Sequence, residues 1–182
     1  MYKLRLLHKD DLSTRVDWMN QPEIYESMSY DLPITLEKTM QWFTAAEQNS
    51  NRWDFVLELD SKVVAMSGLI KTDQDIDNAE TYIFVNPAHK HQGIGKVMHF
   101  LRSIYAFKIL KLKKIIAIID ADNYASRINC EKLGFMTEGV HRKEKIKNGV
   151  LIDRIYYGCF EHELNINFFN YSITQSKEII IL

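Results

Sequence analysis

The run Lys90-His91-Gln92-Gly93-Ile94-Gly95-Lys96 combines glycines with basic side chains just before a predicted helix. Glycines let the backbone turn tightly, so that several N–H groups point at one spot. The start of a helix adds partial positive charge, and His89 precedes the run. These features are typical of a loop that binds pyrophosphate, although the run alone also fits a plain tight turn. No Gly-Lys-Ser/Thr follows, as a Walker loop requires, and the dinucleotide pattern G-x-G-x-x-G is absent.

The elements around this run place it between a strand and a helix. Residues 79–85 predict a strand that Asn86-Pro87 ends, and a helix follows the glycines to about residue 110. Residues 114–119 form a continuous apolar strand, and a short helix begins at Asn123 and ends at Gly134. The order strand, helix, strand predicts one parallel crossover beside the loop.

In this context the sequence resembles the GNAT superfamily of acetyltransferases. The acetyl-CoA motif of that family, Gln/Arg-x-x-Gly-x-Gly/Ala, matches at Gly93 and Gly95, with Lys90 in the first position. A later family motif, Asn followed by a helix that ends in Tyr-x-Lys-x-Gly-Phe, matches at four positions and has Cys130 in place of Tyr; the matches are Asn123, Lys132, Gly134 and Phe135. The order of elements agrees over about residues 2–160.

The resemblance implies acetyl-CoA as cosubstrate and a set of contacts to it. The strand Ile83-Phe84-Val85 would splay from its neighbour at a bulge and bind the pantetheine arm, with the Val85 N–H polarising the thioester carbonyl. The amides of residues 91–96 would hold the pyrophosphate, and Asn123 would hydrogen-bond the coenzyme. Cys130 would lie where family members have a Tyr next to the coenzyme. The acceptor amine would attack the thioester directly in a ternary complex.

An amine must lose its proton before it can attack, so a base is expected near the thioester. Glu80 is the best candidate, because it shares one strand face with Tyr82 and Phe84. The alternative is a carboxylate that merely pairs with a lysine on the sheet. Tyr82 and Tyr124 are weaker candidates for a proton relay. Cys130 is either a replacement acid or acyl carrier, or a small buried side chain, and the second reading is preferred.

The acceptor should lie under the segment from Trp18 to Tyr30. This segment supplies Trp18, Tyr25, Met28 and Tyr30, and Tyr82 would face it from the sheet. Such side chains suit a sugar or nucleotide-linked ring, and they suit a peptide N-terminus nearly as well. The stretch Gly134-Phe135-x-x-Glu138-Gly139-x-x-Arg142 resembles three groups alike: ribosomal-protein alanine N-acetyltransferases, amino-sugar N-acetyltransferases, and polyamine or antibiotic acetylators.

The remaining patterns complete an α/β domain. Alternation of polar and apolar residues predicts a strand at residues 2–7, and two further strands, 53–59 and 62–71, form a hairpin. Helices are predicted to begin at Asp10 and at Thr35. A last hairpin crosses Asn148-Gly149. The fold prediction is therefore a GNAT-like, mixed and mostly antiparallel sheet of about seven strands with about four helices. The domain should span residues 1–162, and the tail 163–182 either packs on it or pairs with a second copy as a homodimer.

Bulk composition excludes several functions. The chain has 182 residues and a net charge of −1, which argues against a nucleic-acid partner. Its two cysteines lack the spacing of a zinc site, so no metal is expected. No signal peptide and no membrane-spanning run are visible, which favours the cytoplasm.

The sequence therefore predicts an N-acetyltransferase that acts on a small amine or amino sugar. N-terminal acetylation of a protein, such as a ribosomal protein, is the alternative acceptor. A non-catalytic CoA-binding module, to which the missing Tyr at position 130 lends weight, is the alternative class.

Overall fold

The structure is a computed structural model that describes residues 1–26, 28, 30–72, 76–90 and 92–181. A single sheet runs through the described part in the order β6-β7-β5-β4-β3-β2-β1-β9-β8. Its strands are β1 (Tyr2–Leu6), β2 (Arg52–Leu59), β3 (Lys62–Lys71), β4 (Asn78–Val85), β5 (Lys114–Asp120), β6 (Met136–Lys147), β7 (Val150–Phe160), β8 (Tyr171–Ile173) and β9 (Ile179–Ile181). Only β4 and β5 pair in parallel among these described strands, so the α/β class and the single crossover are confirmed.

The two hairpins form at the residues that predicted them. Asn148 and Gly149 have φ angles of 49° and 78°, and Asp60 and Ser61 have φ angles of 49° and 67°. Paired positive φ values match the twist of two-residue hairpin turns, which favours Asn-Gly at such a site. These turns fix the register of β2 against β3 and of β6 against β7.

The described helices cover both faces of the sheet. They are α1 (Leu12–Met19), α2 (Pro22–Tyr25), α3 (Leu36–Glu47), α4 (Ile94–Ile104) and α5 (Tyr124–Lys132). Predicted helix starts hold where a cap is present: the Thr35 side chain accepts a hydrogen bond from the Lys38 N–H at 3.3 Å. α4 is shorter than predicted, because a π-helical turn at Tyr105–Ile109 replaces its last part.

Two apolar cores hold the helices to the sheet. α1, α2 and α3 share one core with Val56, Met66 and Phe84. The larger core, on the other face, contains α4 together with buried residues of α5 and of the central strands. Among the described residues, no helix is long and apolar enough to cross a membrane.

The C-terminal segment adds the two strands that the predicted count of about seven omitted. β9 pairs with β1 and β8 pairs with β9, so residues 171–181 extend the sheet edge. Further contacts tie the segment to the body of the domain: the Asn165 N–H donates to the Leu133 carbonyl at 3.0 Å, and Phe169 packs on Phe100 of α4. Short strands of three residues carry too little alternation to be recognised in a sequence.

Candidate active site

The site begins where β4 and β5 part. Their parallel pairing ends at Thr81 and Ala117, although both strands continue for several residues. β4 stays in uniform register with β3 up to Val85, so the expected bulge is absent and the opening arises from the end of pairing alone. The Asn86 N–H bonds to the Val64 carbonyl, on the β3 side. Because successive residues alternate in direction, the backbone groups of Ile83 and Val85 face the opening.

One cavity extends from this opening to the glycine loop. This loop cavity has a volume of about 450 Å³ and is lined by Ile83, Phe84 and Val85 of β4 and by Gly93, Ile94 and Gly95. Gly93 has a φ of 76° and caps α4, and both the Lys96 and Val97 N–H groups bond to its carbonyl. A side chain is disfavoured at this φ, so the glycine in the motif has a conformational reason.

Other residues that were predicted to bind the pyrophosphate do not line the loop cavity in the described structure. Gln92 is exposed and is not part of the cavity wall, and His91 lies outside the described residues. The Lys96 ammonium sits 3.7 Å from the centre of the Phe168 ring, a cation–π contact to the C-terminal segment. Lys96 therefore faces the segment rather than the cavity.

Asn123 lies at the mouth of both cavities and begins α5. Its side-chain oxygen accepts a hydrogen bond from the Ser126 N–H at 3.2 Å. The amide NH₂ of the same side chain remains available to donate, because an Asn amide has two further hydrogens.

A second cavity lies across the opening on the sheet. This sheet cavity has a volume of about 240 Å³, and its wall includes Glu80, Tyr82, Met28, Asp120 and Arg154. Glu80 is half-buried, and within the described part of the chain its carboxylate makes no ion pair or hydrogen bond. The alternative, in which a lysine on the sheet pairs with Glu80, has no counterpart in these contacts.

Asp120 is a second carboxylate at this wall, but its charge is compensated. It is buried, with Lys145 at 2.8 Å and the Arg154 Nε at 3.8 Å. Both cations are distant from Asp120 in the sequence, since Lys145 lies on β6 and Arg154 on β7. Glu80 is thus the carboxylate of this cavity that lacks a partner in the described structure.

Tyr82 is held away from a proton-relay role. Its hydroxyl donates to the Asp54 carboxylate, which also accepts two hydrogen bonds from Arg52, at 2.7 and 3.1 Å. Burial, offset in part by Arg15, raises the pKa of Tyr82 to about 12. Tyr82 therefore shapes the wall of the sheet cavity. Tyr124 is 66% exposed and lines neither cavity.

The predicted aromatic roof is largely not formed. Trp18 is buried and packs edge-on against Phe84, and the Tyr30 hydroxyl donates to the Met19 carbonyl at 2.7 Å. Tyr25 does not line either cavity, so only Met28 of that set reaches one. The helical pattern of residues 12–25 turned its large side chains into the core instead of over the opening. The described structure therefore lacks the expected stacking surface.

Cys130 also departs from its predicted place next to the coenzyme. It is fully buried on the inner side of α5 and lines neither cavity. Burial raises the pKa of its thiol to about 12, although the nearby Arg102 opposes the shift. The structure supports the preferred reading of a small buried side chain.

His99 is the functional candidate that the sequence missed. It lines both cavities, and its Nδ1 lies 2.8 Å from a guanidinium nitrogen of Arg102. Arg102 is fully buried, donates to Ser67 at 3.1 Å, and has no acidic partner in the described residues. His99, Arg102 and Ser103 of α4 are all buried, and the His99 ring packs edge-on against the Phe135 ring with 6.4 Å between the ring centres. The available signal was the presence of His99, Arg102 and Ser103 within the otherwise apolar run of residues 97–104.

Comparison of the sequence with models of known protein families identifies the family of this chain. The model of the acetyltransferase (GNAT) domain matches residues 2–136, which is most of the chain. This chain belongs to the GNAT acetyltransferase family. It is an acetyl-CoA-dependent N-acetyltransferase, and the predictions of family, fold and cosubstrate are confirmed.

Relatives of this GNAT enzyme include polyamine acetyltransferases. Spermidine N(1)-acetyltransferase of Escherichia coli K12 is 27% identical over 162 residues, covering 88% of this chain and 82% of the relative. The crystal structure of the Vibrio cholerae spermidine N-acetyltransferase with CoA and spermine superposes with a TM-score of 0.84 at 21% identity, covering 89% and 96% of the two chains. A dodecameric structure of the Vibrio cholerae enzyme gives a TM-score of 0.80 at 23% identity, covering 91% and 98%.

Proposed function

We propose that this GNAT enzyme acetylates a primary amine of a polyamine such as spermidine. The observation that carries the proposal is the carboxylate of Glu80 at the wall of the sheet cavity, without a cationic partner in the described structure. A polyamine brings ammonium groups, which such a carboxylate attracts in a partly desolvated cleft. An amino sugar would use a stacking surface instead, and Trp18 and Tyr30 are engaged elsewhere.

The relatives support the same acceptor. The names of the Escherichia coli and Vibrio cholerae proteins refer to spermidine, and the Vibrio cholerae complex contains spermine. Their similarity extends over more than four-fifths of this chain, so it includes β4 and the sheet cavity. N-terminal acetylation of a protein has no comparable support.

The mechanism follows from the two cavities. Acetyl-CoA would lie along the loop cavity, with its pyrophosphate at the N-terminus of α4 and its arm beside the free backbone of Ile83 and Val85. The Val85 N–H would donate to the thioester carbonyl and stabilise the oxyanion as it forms. The amine would enter from the sheet cavity, lose a proton to Glu80 directly or through water, and attack the carbonyl carbon. The C–S bond then breaks and CoA leaves as a thiolate.

The acceptor is tested by comparing spermidine with glucosamine as substrates. Release of free thiol from acetyl-CoA gives kcat/KM for each amine. We expect spermidine to exceed glucosamine by about 100-fold, which corresponds to roughly 2.7 kcal/mol of differential transition-state binding. Equal values, or a preference for glucosamine, would contradict the polyamine proposal while leaving the acetyltransferase activity intact.

We also propose that the protein self-associates, without restricting the assembly to the homodimer that the sequence suggested. One relative is dodecameric, and the β6–β7 hairpin here presents exposed apolar side chains, among them Val140, Ile146, Val150 and Leu151. Exposed apolar side chains gathered on one hairpin are a feature of interaction surfaces. Light scattering on the purified protein should give a mass well above that of one chain, and a monomer at every concentration would exclude this.

A further inference from the structure

The two cavities meet at a small set of residues. Ile83, His99, Asn123 and Ser126 line both the loop cavity and the sheet cavity. A coenzyme arm that enters through one cavity and an amine that enters through the other react at this junction. Within this set, His99 is the residue whose side chain carries an imidazole ring, and only 3% of the residue is exposed.

The tautomer of His99 is determined by its neighbour. A guanidinium can only donate hydrogen bonds, so the Nδ1 that faces Arg102 at 2.8 Å must accept. The ring proton of neutral His99 is therefore on Nε2. Nε2 has no hydrogen-bond partner among the described residues, which leaves this N–H free at the junction of the cavities.

A buried network holds the ring in place. Arg102 donates to both His99 and Ser67, and the Ser67 hydroxyl donates to the backbone carbonyl of Tyr82 on β4. The imidazole is thus linked to the strand that borders the opening. Burial, together with the adjacent Arg102 cation, keeps the pKa of His99 well below its usual value, so the ring stays neutral. Burial lowers the pKa of Arg102 to about 10, and Arg102 remains charged at neutral pH.

We propose that the Nε2–H of His99 donates a hydrogen bond to the sulfur of CoA as it leaves, in the place where this chain lacks the family hydroxyl at position 130. The amine nitrogen forms its bond to the carbonyl carbon, and the C–S bond breaks with its electron pair on sulfur. The amine proton passes to Glu80 or water, and the thiolate takes a proton from solvent after release. His99 itself keeps its proton, because a neutral imidazole stabilises a forming anion by donation alone.

Arg102 strengthens the His99 Nε2–H as a hydrogen-bond donor from the opposite side of the imidazole ring. Its donation to Nδ1 draws electron density from the imidazole, which makes the Nε2–H a better donor. Cys130 does not supply this function, since its thiol is fully buried outside both cavities. The inference rests on acetyl transfer in this cleft and not on the identity of the amine.

The direct test is a titration of the CoA thiol bound to the protein, followed by thiolate absorbance and without any amine. A hydrogen bond to the thiolate should lower the pKa of the bound thiol by about one to two units relative to His99→Ala, or tenfold to a hundredfold in the acid dissociation constant. If the pKa of the CoA thiol bound to the wild type is equal to or above the pKa of the thiol in free CoA, the proposal is overturned without recourse to a variant.

Steady-state kinetics give a second readout with acetyl-CoA and spermidine. His99→Ala should lower kcat by about tenfold to a hundredfold with little change in the KM for acetyl-CoA. His99→Gln, whose amide N–H can also donate, should recover most of the rate and the thiol pKa. An equal loss in the Ala and Gln variants would contradict donation by His99.

Ser103→Ala is the matched control on the same helix. The buried Ser103 hydroxyl donates to the His99 carbonyl at 2.8 Å and lines neither cavity. Its loss should lower the melting temperature and leave the thiol pKa unchanged. A shift of the thiol pKa in this control equal to that in His99→Ala would assign the effect to helix packing and sink the proposal. Failure of spermidine as a substrate would leave the titration result standing.

Discussion

Replacement of Glu80 by Gln isolates the charge of one carboxylate from the fold. Glu80 has no ion pair or hydrogen bond in the described structure, so the change should alter the free energy of unfolding by no more than about 0.5 kcal/mol. A general base contributes about 10²–10⁴ in rate, which is roughly 2.7–5.4 kcal/mol of transition-state stabilisation. The predicted effect on catalysis is thus at least about five times the predicted effect on stability.

The assay is kcat at saturating acetyl-CoA and spermidine, measured across pH for wild type and Glu80→Gln. The loss should be largest at neutral pH and shrink as pH approaches about 10, where an alkyl amine is already neutral without a base. Affinity for acetyl-CoA should not change, because Glu80 lines only the sheet cavity. Parallel pH profiles, or a rate within about threefold of wild type at neutral pH, would refute the assignment of Glu80 as the base.

Glu58→Gln is the matched control for this experiment. Glu58 lies on the same sheet, and its carboxylate pairs with Arg5 at 2.7 Å and Lys3 at 3.2 Å. Its loss should reduce the melting temperature and leave kcat unchanged. A comparable fall of kcat in both variants would mean that the assay reports stability rather than proton transfer.

Three further outcomes are expected. Gly93→Val should weaken CoA binding in calorimetry by at least about tenfold, because Gly93 has a φ of 76° and lines the loop cavity. Gly149→Val is the control: its φ is 78° in a distant hairpin, so it should lower stability by a similar amount and leave CoA binding unchanged. Equal CoA affinity in both variants would contradict the assignment of the loop to the coenzyme site. Cys130→Ala should keep most activity, and an acetylated thiol found by mass spectrometry would contradict direct transfer. Burial opposes but does not outweigh the hydrogen bonds from Arg5 and His8, so the pKa of Asp11 lies below its usual value. The stabilisation by the Asp11 carboxylate is therefore complete above about pH 4 and is lost as pH falls. Asp11→Asn should reduce the fall of the melting temperature at acid pH, and an unchanged dependence of the melting temperature on pH would refute this.

The sequence was sufficient for features that depend on local chemistry. Asn148-Gly149, Thr35 and Gly93 each occupy a turn or cap whose backbone geometry favours that residue, so the hairpin, the helix start and the loop were predictable. The parallel crossover followed from the alternation of strand and helix patterns.

What the sequence could not provide depends on contacts between distant segments. Trp18 was expected over the opening, and only packing against Phe84 shows that it belongs to the core. The proposed role of His99 depends on its contacts with Arg102 and Phe135, which lie on other parts of the fold or another turn of the helix. β8 and β9 owe their place to pairing with β1, which no local pattern encodes.

Direct transfer between two substrates in one cleft is the central claim, and a matrix of initial rates tests it most directly. Acetyl-CoA and spermidine are both varied, and the product is identified by mass spectrometry. We expect intersecting double-reciprocal lines, because both substrates must be bound before the acetyl group moves, and N-acetylspermidine as the product. Parallel lines would indicate an acetylated enzyme, and release of thiol without any acetylated amine would show that the cleft does not perform the transfer at all.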